Sequence, residues 1–292
     1  MRGWLVYEAQ NIQRNGFFID RWMQAANAEA LDLRLVKTCE LTYGIRGGGP
    51  FLMMSGLDEK PDFIVMRCNQ PLLSLHAESM GIAVFNNSKV ARICNDKRLT
   101  HSLLAGQVPM MDTAFLAPDA FHVPFPFPLV LKGVQGSGGR EVYRADNSAQ
   151  YQEALKAIAP DHAVAQSLCD EPGRDMRVYV LGDRIITCML RYSTTDFRSN
   201  IGLGAASNPV DLPAQVREYV TIIQSHFSFG LVGIDFIFHR GQPVFNEIED
   251  AVGTRMLYMH TGRDIAREYL ALILGQLPGL SAALAHRLPD AL

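Results

Sequence analysis

The sequence has no apolar run approaching the roughly 18 residues that a membrane-spanning helix needs, which argues against a membrane protein. Its opening, MRGWLVYEAQN, turns polar after a few apolar residues, too soon for a signal peptide, and a cytoplasmic location is expected. No basic field is present: the formal net charge is -3 and the pI near 6.2, so nucleic acid is not expected as the main partner. Cysteines are few and scattered, at 39, 68, 94, 169 and 188, with no C-x-x-C pair. That odd set fits neither a disulfide framework nor a zinc knuckle, and buried thiols are the expectation. The eight histidines form no His-Glu-x-x-His spacing and read as structural or surface residues. No internal repeat occurs, and the proline-rich FHVPFPFP is too short for a low-complexity domain.

What remains is an ordinary globular composition, 292 residues with 48% hydrophobic and 20% charged, long enough for a sizeable core. Residues 1–90 alternate strand and helix signals: GWLVY, a helical pattern through FFIDRWMQAANAEA, then LDLRLV, PDFIVM, LLSLHAESM and GIAVF. Such alternation predicts a parallel sheet covered by helices. The glycine-rich YGIRGGGPFLMMSG, between Thr38 and Lys60, reads as a ligand-covering loop or a plain surface excursion rather than an element. NNSKVARICNDKRLTHSLLAG reads as one helical stretch, capped by Asn87 or Ser88 and stopped near Gly106. From FPLVLKG onward strands dominate, with helices at AQYQEALKAIA, LPAQVREYVTIIQSHF and GRDIAREYLALILGQL, which predicts an α+β region.

Within PLVLKGVQGSGGREV, residues 128–142, Lys132 stands on a strand directly before a loop with almost no side chains. Backbone N–H groups in such a loop approach a ligand closely, and beside a lysine they suit phosphate. A hairpin turn between VLKG and REVYRA explains the same glycines equally well. The pattern is not a P-loop, whose lysine follows the glycines.

Later strands carry charged residues at intervals that deserve a function. Asp235 interrupts the apolar run GLVGIDFIF, a costly place for a carboxylate unless it is paired or holds a cation. Glu247 and Glu249, two apart on a strand, share a face, so Asp235 on a neighbouring strand would complete a three-carboxylate site of the kind Mg²⁺ uses beside nucleotide phosphates. Lys97, Lys132, Arg177, Arg191 and Arg198 supply positive charge in the same stretch of chain. Lysines, arginines, a glycine loop and magnesium carboxylates together describe phosphoryl chemistry on ATP. Arg177 and Arg191 have a duller reading as cross-strand ion pairs, and Lys97 as a solvated helix charge.

The order NDKRLTHSLLAGQVPMMDTAFL, PLVLKGVQGSGGREV, AVAQSLCDEPGRDMRVYVLGDRIITCMLR, DFRSNIGLGAAS, GLVGIDFIF, VFNEIEDAVG, TGRDIA resembles the ATP-grasp enzymes, and among them the RimK-type α-L-glutamate ligases, over roughly residues 86–275. The resemblance implies an α/β N-terminal domain (1–90) followed by an α+β ATP-grasp fold (91–292), two subdomains sandwiching ATP with a hinge near 166–169. It implies that Lys97 and Lys132 bind the phosphates and that Gly136, Ser137, Gly138 and Gly139 close over them as a lid. Gln166, Ser167 and Leu168 would read the adenine edge through the hinge backbone. Asp175 would contact the nucleotide, and Arg198, Ser199 and Asn200 would lie near the phosphates and the reaction centre. Asp235 and Glu247 match magnesium ligands, with Glu249 standing where the family has asparagine and Mn²⁺ as a substitute metal. Arg177, Arg191 and Arg198 would clamp a substrate carboxylate or the charged intermediate.

The implied reaction joins a carboxylate to an amine through an acyl phosphate, adding glutamate or another amino acid to a small molecule, peptide or protein. A kinase acting on a small molecule and a non-catalytic ATP-binding module stay open as alternatives. The family also allows a homo-oligomer. Two departures stand out: Gln166-Ser167-Leu168 replaces Gln-Glu-Tyr/Phe at the hinge, and EIEDAVG lacks the family's asparagine and proline.

Overall fold

Residues 3–7 and 63–66 are apolar and buried throughout, as strands covered by helices on both faces must be. The protein is described from a computed structural model covering residues 1–136 and 138–277; Ser137 lies outside the described residues. In chain order the first segment contains β1 (Arg2–Tyr7), α1 (Ala9–Ala28), β2 (Asp32–Lys37), β3 (Leu41–Arg46), β4 (Gly49–Met54), β5 (Phe63–Met66), α2 (Pro71–Ser79) and β6 (Ala83–Phe85). Four of these strands form a wholly parallel sheet in the order β2-β1-β5-β6. α1 lays Phe18, Ile19, Trp22, Ala25 and Ala26 on it as one stripe, the spacing of a helix that buries a single face. Each large apolar side chain so covered contributes about 2 kcal/mol.

The glycine-rich segment is not a loop. It folds as the antiparallel hairpin β3–β4, turning at Gly47 and Gly48, whose φ angles of 59° and 81° are the left-handed pair that a two-residue hairpin turn requires. The glycines serve that turn rather than mobility. The helical stretch that follows is also divided, into α3 (Ser88–Cys94) and α4 (Lys97–Leu104). Asn87 caps α3 by accepting from Val90 N at 2.9 Å, and Asp96 starts a new helix by accepting from Arg98 N at 2.9 Å.

The rest of the chain builds two antiparallel sheets. β7 (Thr113–Leu116), β8 (Leu129–Gly133), β9 (Val142–Ala145) and β10 (Ala163–Ser167) pair in the order β7-β10-β8-β9, with α5 (Ser148–Ile158) packed against them. β11 (Arg174–Leu181), β12 (Arg184–Tyr192), β13 (Ala206–Val210), β14 (Leu231–His239) and β15 (Gln242–Glu249) form the second sheet, ordered β13-β12-β11-β14-β15. α6 (Ala214–Gln224), together with residues of α3 and α4, fills the apolar core on one face of that sheet. α7 (Arg255–His260) and α8 (Ile265–Gln276) join the core that includes α1. All five cysteines are free; four are buried as expected, but Cys39 is exposed. Among the described residues no helix is long and apolar enough to cross a membrane.

Candidate active site

Residues opposite one another on antiparallel strands point to the same face. In the five-stranded sheet this register places Arg191 opposite Asp175, Arg177 opposite Asp235, and Asp235 opposite Glu247, with Glu249 two residues further on. One face therefore carries a row of charges across four strands, while Val178, Ile234 and Phe236 alternate onto the other face and form the core.

The charges are paired. Arg177 donates from Nε and Nη2 to the two oxygens of Asp235 at 2.8 and 2.7 Å, and its Nη1 lies 2.6 Å from Glu249. Arg191 donates to both oxygens of Asp175 and, at 2.8 Å, to Asp235. Asp235 is fully buried. Burial pushes its carboxyl up, but Arg177 and then Arg191 outweigh that and hold it down at about 2.

Facing this row, the four-stranded sheet brings its lysine and glycine loop. Lys132 is buried and donates from Nζ to Asn246 Oδ1 at 2.7 Å. Burial, opposed mainly by Glu247, lowers its pKa to about 8. Lys97 is buried too, contrary to the solvated reading of a helix lysine; its Nζ donates to Gly136 O at 2.7 Å and lies 3.6 Å from Glu247. Arg198 donates from Nη1 to Gly139 O at 2.7 Å while Asp196 holds the rest of its guanidinium. The loop is thus pinned over the cleft by two side chains expected to meet phosphate.

One cleft collects most of the sequence-predicted residues. Lys97, Lys132, Gly136, Gly138 and Gly139 line it, as do Gln166, Ser167, Leu168, Asp175, Arg191, Arg198, Ser199, Asn200 and Glu247. Arg177, Asp235 and Glu249 do not; they lie beneath or beside it in the ion-pair row. The duller reading of Arg177 and Arg191 as cross-strand pairs is realised in the structure, although Arg191 also borders the cleft. Val130, Leu168 and Ile237 add an apolar stretch to the wall, suited to a flat base. At the hinge, Ser167 N donates to Asp112 O and Leu168 N to Pro128 O, each at 3.2 Å. Those two donors are satisfied within the chain.

The three expected metal carboxylates do not converge. Among the described residues no group of three or more His, Cys, Asp or Glu is placed to hold a metal ion. Their shared face was correctly anticipated, but Arg177 stands between Asp235 and Glu249 and engages both oxygens of the first and one of the second. Glu247 and Glu249 remain about a third exposed at 31% each, and as hard oxygen donors they fit Mg²⁺. Asp235 fits only after an exchange of its arginine partners.

Asn246 was missed by the sequence reading. Strict alternation puts it on the face opposite Glu247, but the pairing shifts between Asp235 and Phe236, so that Phe236 meets Phe245 while Asp235 meets Glu247. Asn246 is the extra residue of that bulge and reaches Lys132. Nothing in the local pattern marks it.

Residues 96–273 match the family model described as a RimK-like ATP-grasp domain. The chain is 28% identical over 194 residues to the alpha-aminoadipate–LysW ligase LysX of Saccharolobus solfataricus, covering 61% of this chain and 70% of that protein. It is 23% identical over 271 residues to the probable alpha-L-glutamate ligase 1 of Shewanella amazonensis, covering 87% and 90% respectively. The crystal structure of a RimK domain ATP-grasp protein from Sphaerobacter thermophilus superposes with a TM-score of 0.72 at 17% identity, covering 94% of this chain and all of that one.

Proposed function

Because the chain belongs to the RimK-like ATP-grasp family, we propose that it is an ATP- and Mg²⁺-dependent carboxylate–amine ligase. The observation that carries this reading is the meeting of two buried lysines, Lys97 and Lys132, with a glycine loop and Glu247 in one cleft between two sheets. Two relatives are named for glutamate or α-aminoadipate, both acidic amino acids, and we take an acidic amino acid as one substrate. The other is a small molecule or a peptide or protein acceptor.

In this reading a substrate carboxylate oxygen attacks the γ-phosphorus of ATP and breaks its bond to ADP. The amine nitrogen then attacks the carbonyl carbon of the acyl phosphate, expels phosphate and loses a proton, leaving an amide. Lys97 and Lys132 hold the phosphates by their positive charge, and Arg198, Ser199 and Asn200 border the transferred group. Gly136, Gly138 and Gly139 on the cleft wall help exclude water, which matters because an acyl phosphate hydrolyses readily. Glu247 and Glu249 would hold Mg²⁺, which supplies further neutralisation of phosphate charge. Asp175, buried beside Arg191, contacts the nucleotide side of the cleft. Arg191 borders the substrate, whereas Arg177 acts by positioning Asp235 and Glu249. The free thiols fit a reducing compartment such as the cytoplasm.

Product analysis after ATP turnover tests the reading. A new mass equal to acid plus amine minus water supports ligation; a stable phosphorylated acid would assign a kinase instead.

A further inference from the structure

His101 lies one turn after Lys97 on α4, so the two residues share a helix face. The ring is buried, 3% exposed, and its Nδ1 sits 2.7 Å from Lys97 O. A carbonyl only accepts, so Nδ1 carries the proton, and in the neutral ring that leaves Nε2 as an acceptor. Its partner at 3.1 Å is the side-chain Nε2 of Gln166, itself 3% exposed. The same amide nitrogen donates at 2.9 Å to Thr113 Oγ1, whose hydroxyl passes on to Met111 O at 2.8 Å. Each amide hydrogen therefore has an acceptor, and only a neutral imidazole completes the chain. Burial keeps it neutral, lowering its pKa to about 4.

This chain of bonds crosses between two bodies. Leu104 of α4 packs in the core of the five-stranded sheet, whereas Gln166 and Thr113 are neighbours across β10 and β7 of the four-stranded sheet. The ring also rests on Phe245, centroids 5.6 Å apart, next to the Asn246 that receives Lys132. The imidazole thus ties the backbone of one phosphate-facing lysine to the hinge strand at the place where the two halves of the cleft join.

We propose that His101 and Gln166 are positioning residues that lock Lys97 to the hinge strand and so set the spacing of the two lysines across the nucleotide cleft. This rests on the ATP-site reading above. Both act through Lys97, although Gln166 also lines the cleft.

The test uses the full chain, with ATP and Mg²⁺ as the probe, and measures the Kd by calorimetry and the Tm of each variant. His101→Met keeps most of the ring's volume and removes both bonds; Gln166→Met removes the same link from the other side. Each is expected to weaken ATP binding about tenfold, the scale of one buried hydrogen bond, with a Tm a few degrees below the parent's. Because both break one link, the double variant is expected to bind no more weakly than either single. His101→Gln, whose terminal oxygen restores an acceptor for Gln166, is expected to recover most of the affinity. Unchanged Kd values, or losses that add in the double variant, would overturn the proposal. A fall in Tm without a change in Kd would also overturn it, by reducing the pair to a structural role. Lys97→Ala separates the two levels: if it leaves ATP binding intact, the cleft reading fails, whereas if it abolishes binding while His101→Met has no effect, only the positioning role fails.

Discussion

Arg177 bridges two carboxylates on neighbouring strands: Asp235 takes its Nε and Nη2 at 2.8 and 2.7 Å, and Glu249 takes its Nη1 at 2.6 Å. The guanidinium therefore neutralises the buried Asp235 and at the same time fixes where Glu249 points. Arg177→Met removes that partner from a fully buried charge and is expected to cost about 3 kcal/mol at neutral pH, measured by urea unfolding. The double variant Arg177→Met/Asp235→Asn is expected to regain most of the loss, because the orphaned charge is gone. Equal destabilisation of the single and double variants would show that packing, not charge, sets the cost.

The glycine loop is held down by Lys97 on Gly136 O and by Arg198 on Gly139 O, both at 2.7 Å. Arg198→Ala is expected to speed amide hydrogen exchange at residues 138–140, and ATP is expected to slow it again in the parent protein. Exchange at the parent's rate in the variant would mean that Arg198 does not anchor the loop.

Lys132 gives the site a pH limit. Burial lowers its pKa to about 8, whereas an unfolded lysine titrates near 10.4. Between those values the unfolded chain binds the additional proton, so stability rises with pH across that window. In the folded chain the charge needed for phosphate is lost as pH passes through about 8. ATP affinity is therefore expected to fall between about pH 7 and about pH 9 in the parent, and to stay level in Lys132→Arg, whose guanidinium keeps its charge. A flat parent profile would contradict this.

Asp250 carries the opposite sign. Burial, countered in part by Asn95 and by the amide of Ala251 at 2.6 Å, pushes its pKa up to about 6. The folded chain then binds the additional proton between about pH 4 and about pH 6, so stability falls as pH rises through that window and the full cost is present at neutrality. Asp250→Asn is expected to stabilise the protein by about 2 kcal/mol near pH 7 and by little near pH 4, where the parent carboxyl is already neutral. Urea unfolding at the two pH values distinguishes this from a constant effect.

What could be read in advance followed from local rules. Period-two alternation put Glu247 and Glu249 on one face, and charge cost singled out Asp235; Lys132 before the glycines drew attention to the loop. The remainder depended on events between segments. Arg177 entered among the carboxylates because β11 lies beside β14, a pairing that neither strand specifies by itself. The bulge that turns Asn246 inward changes no composition. The hairpin at 41–54 was hidden because glycines that make a tight turn look the same as glycines that make a mobile loop. His101, set aside with the other histidines, acquires its Gln166 partner only when β10 comes to lie against α4.

Oxygen tracing tests the central claim most directly. The acid substrate is labelled with ¹⁸O in its carboxylate, incubated with ATP, Mg²⁺, the amine and the protein, and the released phosphate is weighed by mass spectrometry, with Lys132→Ala as the blank. An acyl phosphate attacked by an amine predicts one labelled oxygen in the phosphate for every amide formed, and none from the blank. Phosphate without label, or label retained in a stable phosphorylated acid, would contradict the account.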